Sequence, residues 1–275
     1  MDKKIDLTKD ELQKLAIFLQ KKIGISLESA KLQRFKRKIE DILIERNIEN
    51  FNIFYHQLRF LQNEELIQDL INAVTVNETY FWREHEQFIT LVEEVLPKYV
   101  QKGITPRVRI LVSPCSSGEE LYSIMLAILQ KKDLLSKLNI EMLGIDIDSK
   151  MIHKAKKALY TKRSIEKLPR ELLEKYFTKV GSFYQLDSSL RNAAHFMQAN
   201  IFDQELHKKL GHFDIIFSRN MLIYFNKEDK QRCYKIFYEL LKENAYLFLG
   251  HADANEIDKK LFLPLQAGFH LFKKI

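Results

Sequence analysis

Apolar residues recur at three- and four-residue intervals through the first 75 positions. After Arg107 short apolar runs separated by helical stretches replace that rhythm. Leu12, Leu15, Ala16 and Leu19 line one helix face. Thr8 with Glu11 spells a capping box before them, and Gly24 a stop after them. Leu32, Phe35, Ile39, Ile42 and Leu43 form the apolar stripe of a second helix. Arg34, Arg37 and Lys38 fall on roughly the opposite side, with Lys31 at its border. No convincing strand interrupts this part, so residues 1–75 are expected to form an all-α N-terminal domain with one basic surface. Residues 76–106 read as a linker and connecting helix, the helix over about 84–100 and the linker ending at Gly103-Ile104-Thr105-Pro106.

Residues 107–275 read as one α/β domain. Val108 to Val112 is a short β-rich run, Pro114-Cys115-Ser116-Ser117-Gly118 a turn, and a helix follows from about Glu119 to Lys132. Ile140 to Ile145 predicts a second strand, Ser149 to Leu159 a helix, Phe213 to Phe217 a later strand, 227–242 a helix, and Ala245 to Leu249 another strand. Strands alternating with helices predict a parallel, doubly wound sheet. Ser182 to Leu186 and Ala194 to Met197 are expected to pair as a small antiparallel insertion over about 181–197. The alternative places Ala194 to Met197 as a central strand of the main sheet. No internal repeat is present.

Composition narrows the class. Of 275 residues 46% are hydrophobic and 29% charged, which excludes a disordered chain. The two cysteines, Cys115 and Cys233, give neither a disulfide framework nor a zinc-binding CxxC pair. No uncharged run of about 18 apolar residues exists, and Met1-Asp2-Lys3-Lys4 leads into a polar amphipathic segment. A soluble, cytoplasmic protein without membrane insertion is expected. The net charge of +7 is concentrated: residues 150–179 hold ten Lys/Arg against three Glu. That window, and the cluster around Arg34, Arg37 and Lys38, suits nucleic acid, an anionic membrane or an acidic protein surface; a solvated helix face is the alternative.

In a doubly wound sheet, ligands bind outside the carboxyl ends of the strands near the switch in strand order. Four features converge there. Ser116-Ser117-Gly118-Glu119-Glu120 follows the first strand, lacks GxGxxG, and its two glutamates would repel a pyrophosphate. They suit a positively charged ligand or hydroxyl and amine donors, or simply a helix N-terminal turn. Asp146 ends the second strand where an acid can accept from a ribose diol, while Asp148 or Ser149 caps the next helix. Arg219, Asn220 and Tyr224 follow a buried strand, and such groups are costly to bury without partners. Asn77-Glu78-Thr79-Tyr80-Phe81-Trp82-Arg83-Glu84 lies at the domain junction and reads as a ligand cover or an aromatic hinge.

Other chemistries fit worse. GxSxG, HExxH and the P-loop are missing. His207 and His212 have no obvious ligand partners, so no metal is expected, and nothing indicates an activating His for Cys115.

Taken together, the motifs resemble the chemotaxis receptor methyltransferases. They are Asn77-x-Thr79-x-Phe81-x-Arg83, Ser117-Gly118-Glu119-Glu120-x-Tyr122-Ser123, Asp146-Ile147-Asp148, Phe213-Asp214-x-Ile216-Phe217-x-Arg219-Asn220-x-x-Ile223-Tyr224-Phe225, and Gly250-His251. The chain departs from the family's usual pattern at Trp82, Leu121 and the Ala252-Asp253 ending. The resemblance implies a Rossmann-like S-adenosylmethionine-dependent methyltransferase domain with a small β-subdomain, preceded by the helical domain. It implies glutamate O-methylation on the cytoplasmic helical region of transmembrane chemoreceptors, giving methyl esters and S-adenosylhomocysteine. By the same resemblance Asn77, Thr79, Arg83, Glu120, Asp146, Asn200, Ile201, Asn220 and Met221 line the cofactor site. Arg83 and Tyr224 face the reacting centre. On that reading the basic face of Arg34, Arg37 and Lys38 is expected to dock an acidic, helical receptor surface, with simple solubility as the alternative. The competing readings are an S-adenosylmethionine-binding regulator without methyl transfer, and a nucleic-acid methyltransferase. Against the latter, Ser218-Arg219-Asn220-Met221 replaces the Asn/Asp-Pro-Pro-Tyr type of segment.

Overall fold

The structure, a computed structural model, describes residues 5–27, 29–101, 104–266 and 270–275, with the side chains of 29–31 and 266 also outside the description. Met1 to Lys4, Gly103 and the side chain of Lys31 therefore lie outside the described residues. Two compact units make up the chain. One holds Met1–Val76 with Tyr224–Asp229, the other Asn77–Ile223 with Lys230–Ile275.

The first unit is built from α1 (Lys9–Ile23), α2 (Ser29–Glu45), α3 (Phe51–Arg59) and α4 (Glu64–Val74). The capping box is present: the Thr8 hydroxyl accepts from the Glu11 N–H at 3.3 Å, and the Glu11 carboxylate accepts from the Thr8 N–H at 2.7 Å. Gly24 ends α1 in the left-handed conformation at φ 73°, which a glycine adopts without strain. Leu12, Leu15 and Leu19 of α1 and Leu32, Ile39 and Leu43 of α2 are buried. Phe35 is only half-buried, with the Lys38 ammonium over its ring at 5.5 Å. Arg34, Arg37 and Lys38 are exposed, whereas Lys36 is engaged by Asp6 and Glu40. Ile25 forms a β-bridge with Phe225, and the Ser26 N–H donates to the Tyr224 carbonyl at 2.8 Å.

The second unit begins with a helical segment whose type changes along its length: α5 (Glu86–Thr90), a π turn (Leu91–Val95) and a 3-10 turn (Leu96–Tyr99). The uniform helix expected over 84–100 is broken because Pro97 has no N–H to continue the ladder. The strands are β1 (Arg107–Val112), β2 (Asn139–Asp146), β3 (Leu159–Thr161), β4 (Phe177–Val180), β5 (Phe183–Leu186), β6 (Ala194–Gln198), β7 (Phe213–Ser218), β8 (Leu241–Leu249), β9 (Phe262–Gln266) and β10 (Leu271–Lys274). Among the described residues the main sheet runs β6-β2-β1-β7-β8-β10-β9, with β6 to β8 parallel and the β9–β10 hairpin antiparallel. Every residue of β7 is buried, as expected for a parallel strand covered on both faces. Phe217 of β7 and Phe248 of β8 stack at 4.3 Å. Strand order reverses at β1, flanked by β2 and β7, which places the switch point there.

The pairing expected over 181–197 is corrected. β5 pairs with β3 and β4 in a separate three-stranded sheet, so the small subdomain spans 159–186. β6 instead pairs parallel with β2 at the edge of the main sheet, not at its centre. Two features dictate this. Asp187 caps a helix over Ser188–Ala193 that separates β5 from β6. Gly144 leaves room for its register partner Phe196, because a Cβ there would come within 2.8 Å of the ring.

Candidate active site

The turn after β1 is stitched to its neighbours by main-chain bonds. Ser113 N–H donates to the Phe217 carbonyl of β7, and Cys115 N–H to the Ile145 carbonyl of β2, both at 2.9 Å. Gly118 then turns at φ +92° into α6 (Glu119–Leu129). α7 (Lys132–Leu135) leads to β2, and α8 (Ser149–Lys157) follows it. Helix α9 (Lys162–Ile165) lies within the small subdomain.

Asp146 ends β2 and is 5% exposed. Its Oδ2 accepts from the Ser116 N–H at 2.8 Å and its Oδ1 from the Asp148 N–H at 2.9 Å. Burial raises its carboxyl to about 6, outweighing those backbone donors, which pull the other way. Asp148 caps α8, accepting from the Lys150 and Met151 N–H groups, and its other oxygen accepts from the Asn77 amide at 2.7 Å.

The two glutamates of α6 divide their work. Glu119 is consumed structurally: its oxygens accept from the Ser117 and Ser164 hydroxyls at 2.7 and 2.8 Å. Glu120 accepts from Arg219 Nε at 2.9 Å through Oε2, while its Oε1 is buried with no hydrogen-bond partner among the described residues. Burial raises the Glu120 carboxyl, and the Arg219 guanidinium acts against that rise. A partnerless carboxylate oxygen in a buried position calls for a cationic or donor group from a ligand.

The other expected residues sort by place. Glu120, Asp146, Asn220 with Met221, and Asn200 with Ile201 follow the carboxyl ends of β1, β2, β7 and β6, four adjacent strands. Asn200 Oδ1 accepts from the Phe202 N–H, and Ile201 is buried. Asn77, Thr79 and Arg83 sit on the segment before α5, which is tied to this edge by Asn77–Asp148 and by the Trp82 N–H donating to the Ser123 hydroxyl at 3.0 Å. Asn77 and Thr79 line a cavity of about 570 Å³ with Ser117, Glu119, Arg163 and Lys167. Arg83 donates to the Glu78 carbonyl at 3.2 Å and lies over the Tyr80 ring. Tyr224 ends a 3-10 turn (Leu222–Tyr224) and belongs to the compact unit that holds the helical residues.

Two residues named in the sequence take roles that sequence reasoning did not assign. Arg219 is the partner of Glu120; its cost of burial signalled a partner but not which one. Asp253 accepts from the main-chain N–H groups of Asn220 and, at 3.1 Å, Ile223, so the unusual acid of the Ala252-Asp253 ending holds the turn after β7. Cys115 is no nucleophile: burial, reinforced by the Asp146 carboxylate, pushes its thiol far above the usual range. No three His, Cys, Asp or Glu side chains gather as a metal site among the described residues.

Residues 77–267 match the family model described as CheR methyltransferase, SAM binding domain, and residues 10–75 match CheR methyltransferase, all-alpha domain. The chain belongs to the CheR methyltransferase family. It is 36% identical over 251 residues to chemotaxis protein methyltransferase 2 of Vibrio cholerae, covering 91% of this chain and 87% of that protein. It is 35% identical over 268 residues to the chemotaxis protein methyltransferase of Campylobacter jejuni, covering 96% and 97%. The corresponding protein of Borreliella burgdorferi is 29% identical over 265 residues, covering 94% and 92%. As a CheR family member the chain is a methyltransferase and S-adenosylmethionine its cofactor. The buried, partnerless Glu120 oxygen and the ribose-suited Asp146 fit that cation. No helix among the described residues is long and apolar enough to cross a membrane.

Proposed function

We propose that this methyltransferase esterifies glutamate side chains of chemoreceptors, with the cytoplasmic helical region of the receptor as its substrate. The observation that carries the reading is the buried carboxylate pair, Glu120 with its partnerless oxygen and Asp146, at the switch point of a chain matching chemotaxis methyltransferases over more than nine-tenths of its length. S-adenosylmethionine supplies the methyl group and leaves as S-adenosylhomocysteine. A substrate glutamate, with a reference pKa of about 4.3, is already ionised at neutral pH, so no side chain has to remove a proton. What remains for the protein is alignment and exclusion of water. Arg83 pairs with the incoming carboxylate, and Tyr224 donates a hydrogen bond that fixes it. Glu120 faces the cofactor's cationic part and Asp146 its ribose; Asn77, Thr79, Asn200, Ile201, Asn220 and Met221 complete the lining.

The test uses radiolabelled methyl cofactor with membranes bearing chemoreceptors. Base-labile label on the receptor band is expected, since methyl esters hydrolyse in alkali. Base-stable label, or none despite tight cofactor binding, would overturn the assignment. An ionised Asp146 accepts from a ribose diol and a protonated one has lost an acceptor. Cofactor affinity is therefore expected to fall as the pH drops through about 6, and Asp146→Asn to flatten that dependence. Calorimetric titration with S-adenosylhomocysteine across that range checks it.

The exposed Arg34, Arg37 and Lys38 of α2 suit an acidic helical receptor surface. Replacing all three by Glu is expected to raise KM for receptor about tenfold or more and to leave cofactor affinity alone. An unchanged KM would remove α2 from the docking surface.

A further inference from the structure

Arg219 follows β7 with its side chain 1% exposed. A guanidinium that has lost its water needs acceptors for a rigid fork of five N–H donors. Nε donates to Glu120 Oε2 at 2.9 Å, Nη2 to the Arg83 carbonyl at 2.8 Å and Nη1 to the Glu84 carbonyl at 3.3 Å. The guanidinium also lies 5.1 Å from the centre of the Phe88 ring. Its acceptors thus come from the first turn of α6 and from the segment that carries Arg83. That segment is locally disfavoured: Trp82 and Glu84 have φ of 67° and 50°, values that non-glycine residues adopt at a cost. Something outside the segment has to hold it, and the two carbonyls that Arg219 gathers lie within it.

We propose that Arg219 is a positioning residue for methyl transfer: one guanidinium fixes Glu120, leaving Oε1 for the cofactor, and holds the main chain that presents Arg83. This rests on the proposed roles of Glu120 and Arg83. A lysine cannot replace the fork, because a single ammonium does not reach three acceptors in the geometry a planar group imposes. The charges facing Glu120 are Arg219 and Arg83, which favour its ionised form, and Glu84, which opposes it; the Cys115 thiol lies nearby. Loss of the Arg219 fork therefore weakens the hold on the carboxylate as well as its orientation.

Arg219→Lys is compared with the natural protein in two measurements. In cofactor-free protein, the emission of Trp82, the only tryptophan, is expected to shift, since its ring packs on Phe88 at 5.9 Å beneath the guanidinium. For S-adenosylhomocysteine, Kd is expected to rise about tenfold. In the variant the affinity should also become more dependent on pH than in the natural protein, rising with pH, and Glu120→Gln in the same background should abolish that added slope. Natural affinity and unchanged emission would overturn the proposal. So would a loss of melting temperature with affinity reduced equally at every pH, the mark of a purely structural ion pair. If Glu120→Gln alone leaves affinity unchanged, the role of Glu120 is overturned, while the Trp82 emission still decides whether Arg219 holds residues 83–84.

Discussion

Arg83→Ala is expected to lower kcat by about a hundredfold to a thousandfold while the protein keeps its fold and binds S-adenosylhomocysteine no more than about tenfold more weakly. The magnitude follows from removing one preorganised charged contact from a water-poor site. The fold should survive because the guanidinium is not core: it makes one hydrogen bond among the described residues, to the Glu78 carbonyl, and a loose 3.8 Å approach to Glu84. The residue's backbone is held independently, by Arg219 at its carbonyl and by the Trp82 N–H one position earlier. Arg83→Lys keeps the charge but loses the bidentate fork, so an intermediate kcat is expected. Tyr224→Phe should cost about tenfold, one neutral hydrogen bond being weaker than a charged one. Single-turnover rates at saturating receptor separate these effects from docking. If both Arg83→Ala and Tyr224→Phe turn over normally with cofactor bound, neither residue orients the substrate.

Much of this was readable in the chain because local rules and long-range structure agreed. Thr8, Glu11 and Gly24 bracket α1 by hydrogen-bonding needs that involve only near neighbours. The strands β1, β2, β7 and β8 stand out as short apolar runs, and Asp146 gains its meaning from ending one of them. Where a partner lies far off in sequence, the chain gave no pointer. Arg219 and Glu120 are 99 positions apart, and both announce themselves only as costly groups to bury. Residues 181–197 went astray because two short strands close in sequence suggest a hairpin, while the Gly144–Phe196 fit that pulls β6 to β2 is invisible without the sheet. The β9–β10 hairpin has no counterpart in the sequence reading; β9 carries Pro264, whose missing N–H is tolerated because β9 is an edge strand.

Asp253→Ala is expected to cost about 2–5 kcal/mol of stability and most of the activity. Its carboxylate, on a residue 2% exposed, accepts the main-chain N–H groups of Asn220 and Ile223, and truncation leaves both without an acceptor at about 1–3 kcal/mol each. Asn220 is left-handed at φ 59°, so the turn that carries Asn220 and Met221 loses what keeps it in that conformation. Gly250→Ala should act through the same contact from the other side. Its Cβ would lie 2.8 Å from Asp253 Oδ2 and 2.9 Å from the Asn220 nitrogen, and the latter is backbone that cannot swing away. The pH dependence has a definite sign. Burial, stronger than the backbone donors, raises the Asp253 carboxyl to about 6 from 3.8, so the folded protein holds this proton more tightly than the unfolded chain. Its contribution to stability is therefore greatest below about pH 4 and declines as the pH rises to about 6. Asp253→Ala lacks that slope, so the gap in melting temperature between the natural protein and the variant should widen from about pH 7.5 to about pH 5. A gap that narrows on acidification would mean that the ionised carboxylate is favoured in the fold, and that the backbone donors of the 220–223 turn outweigh burial.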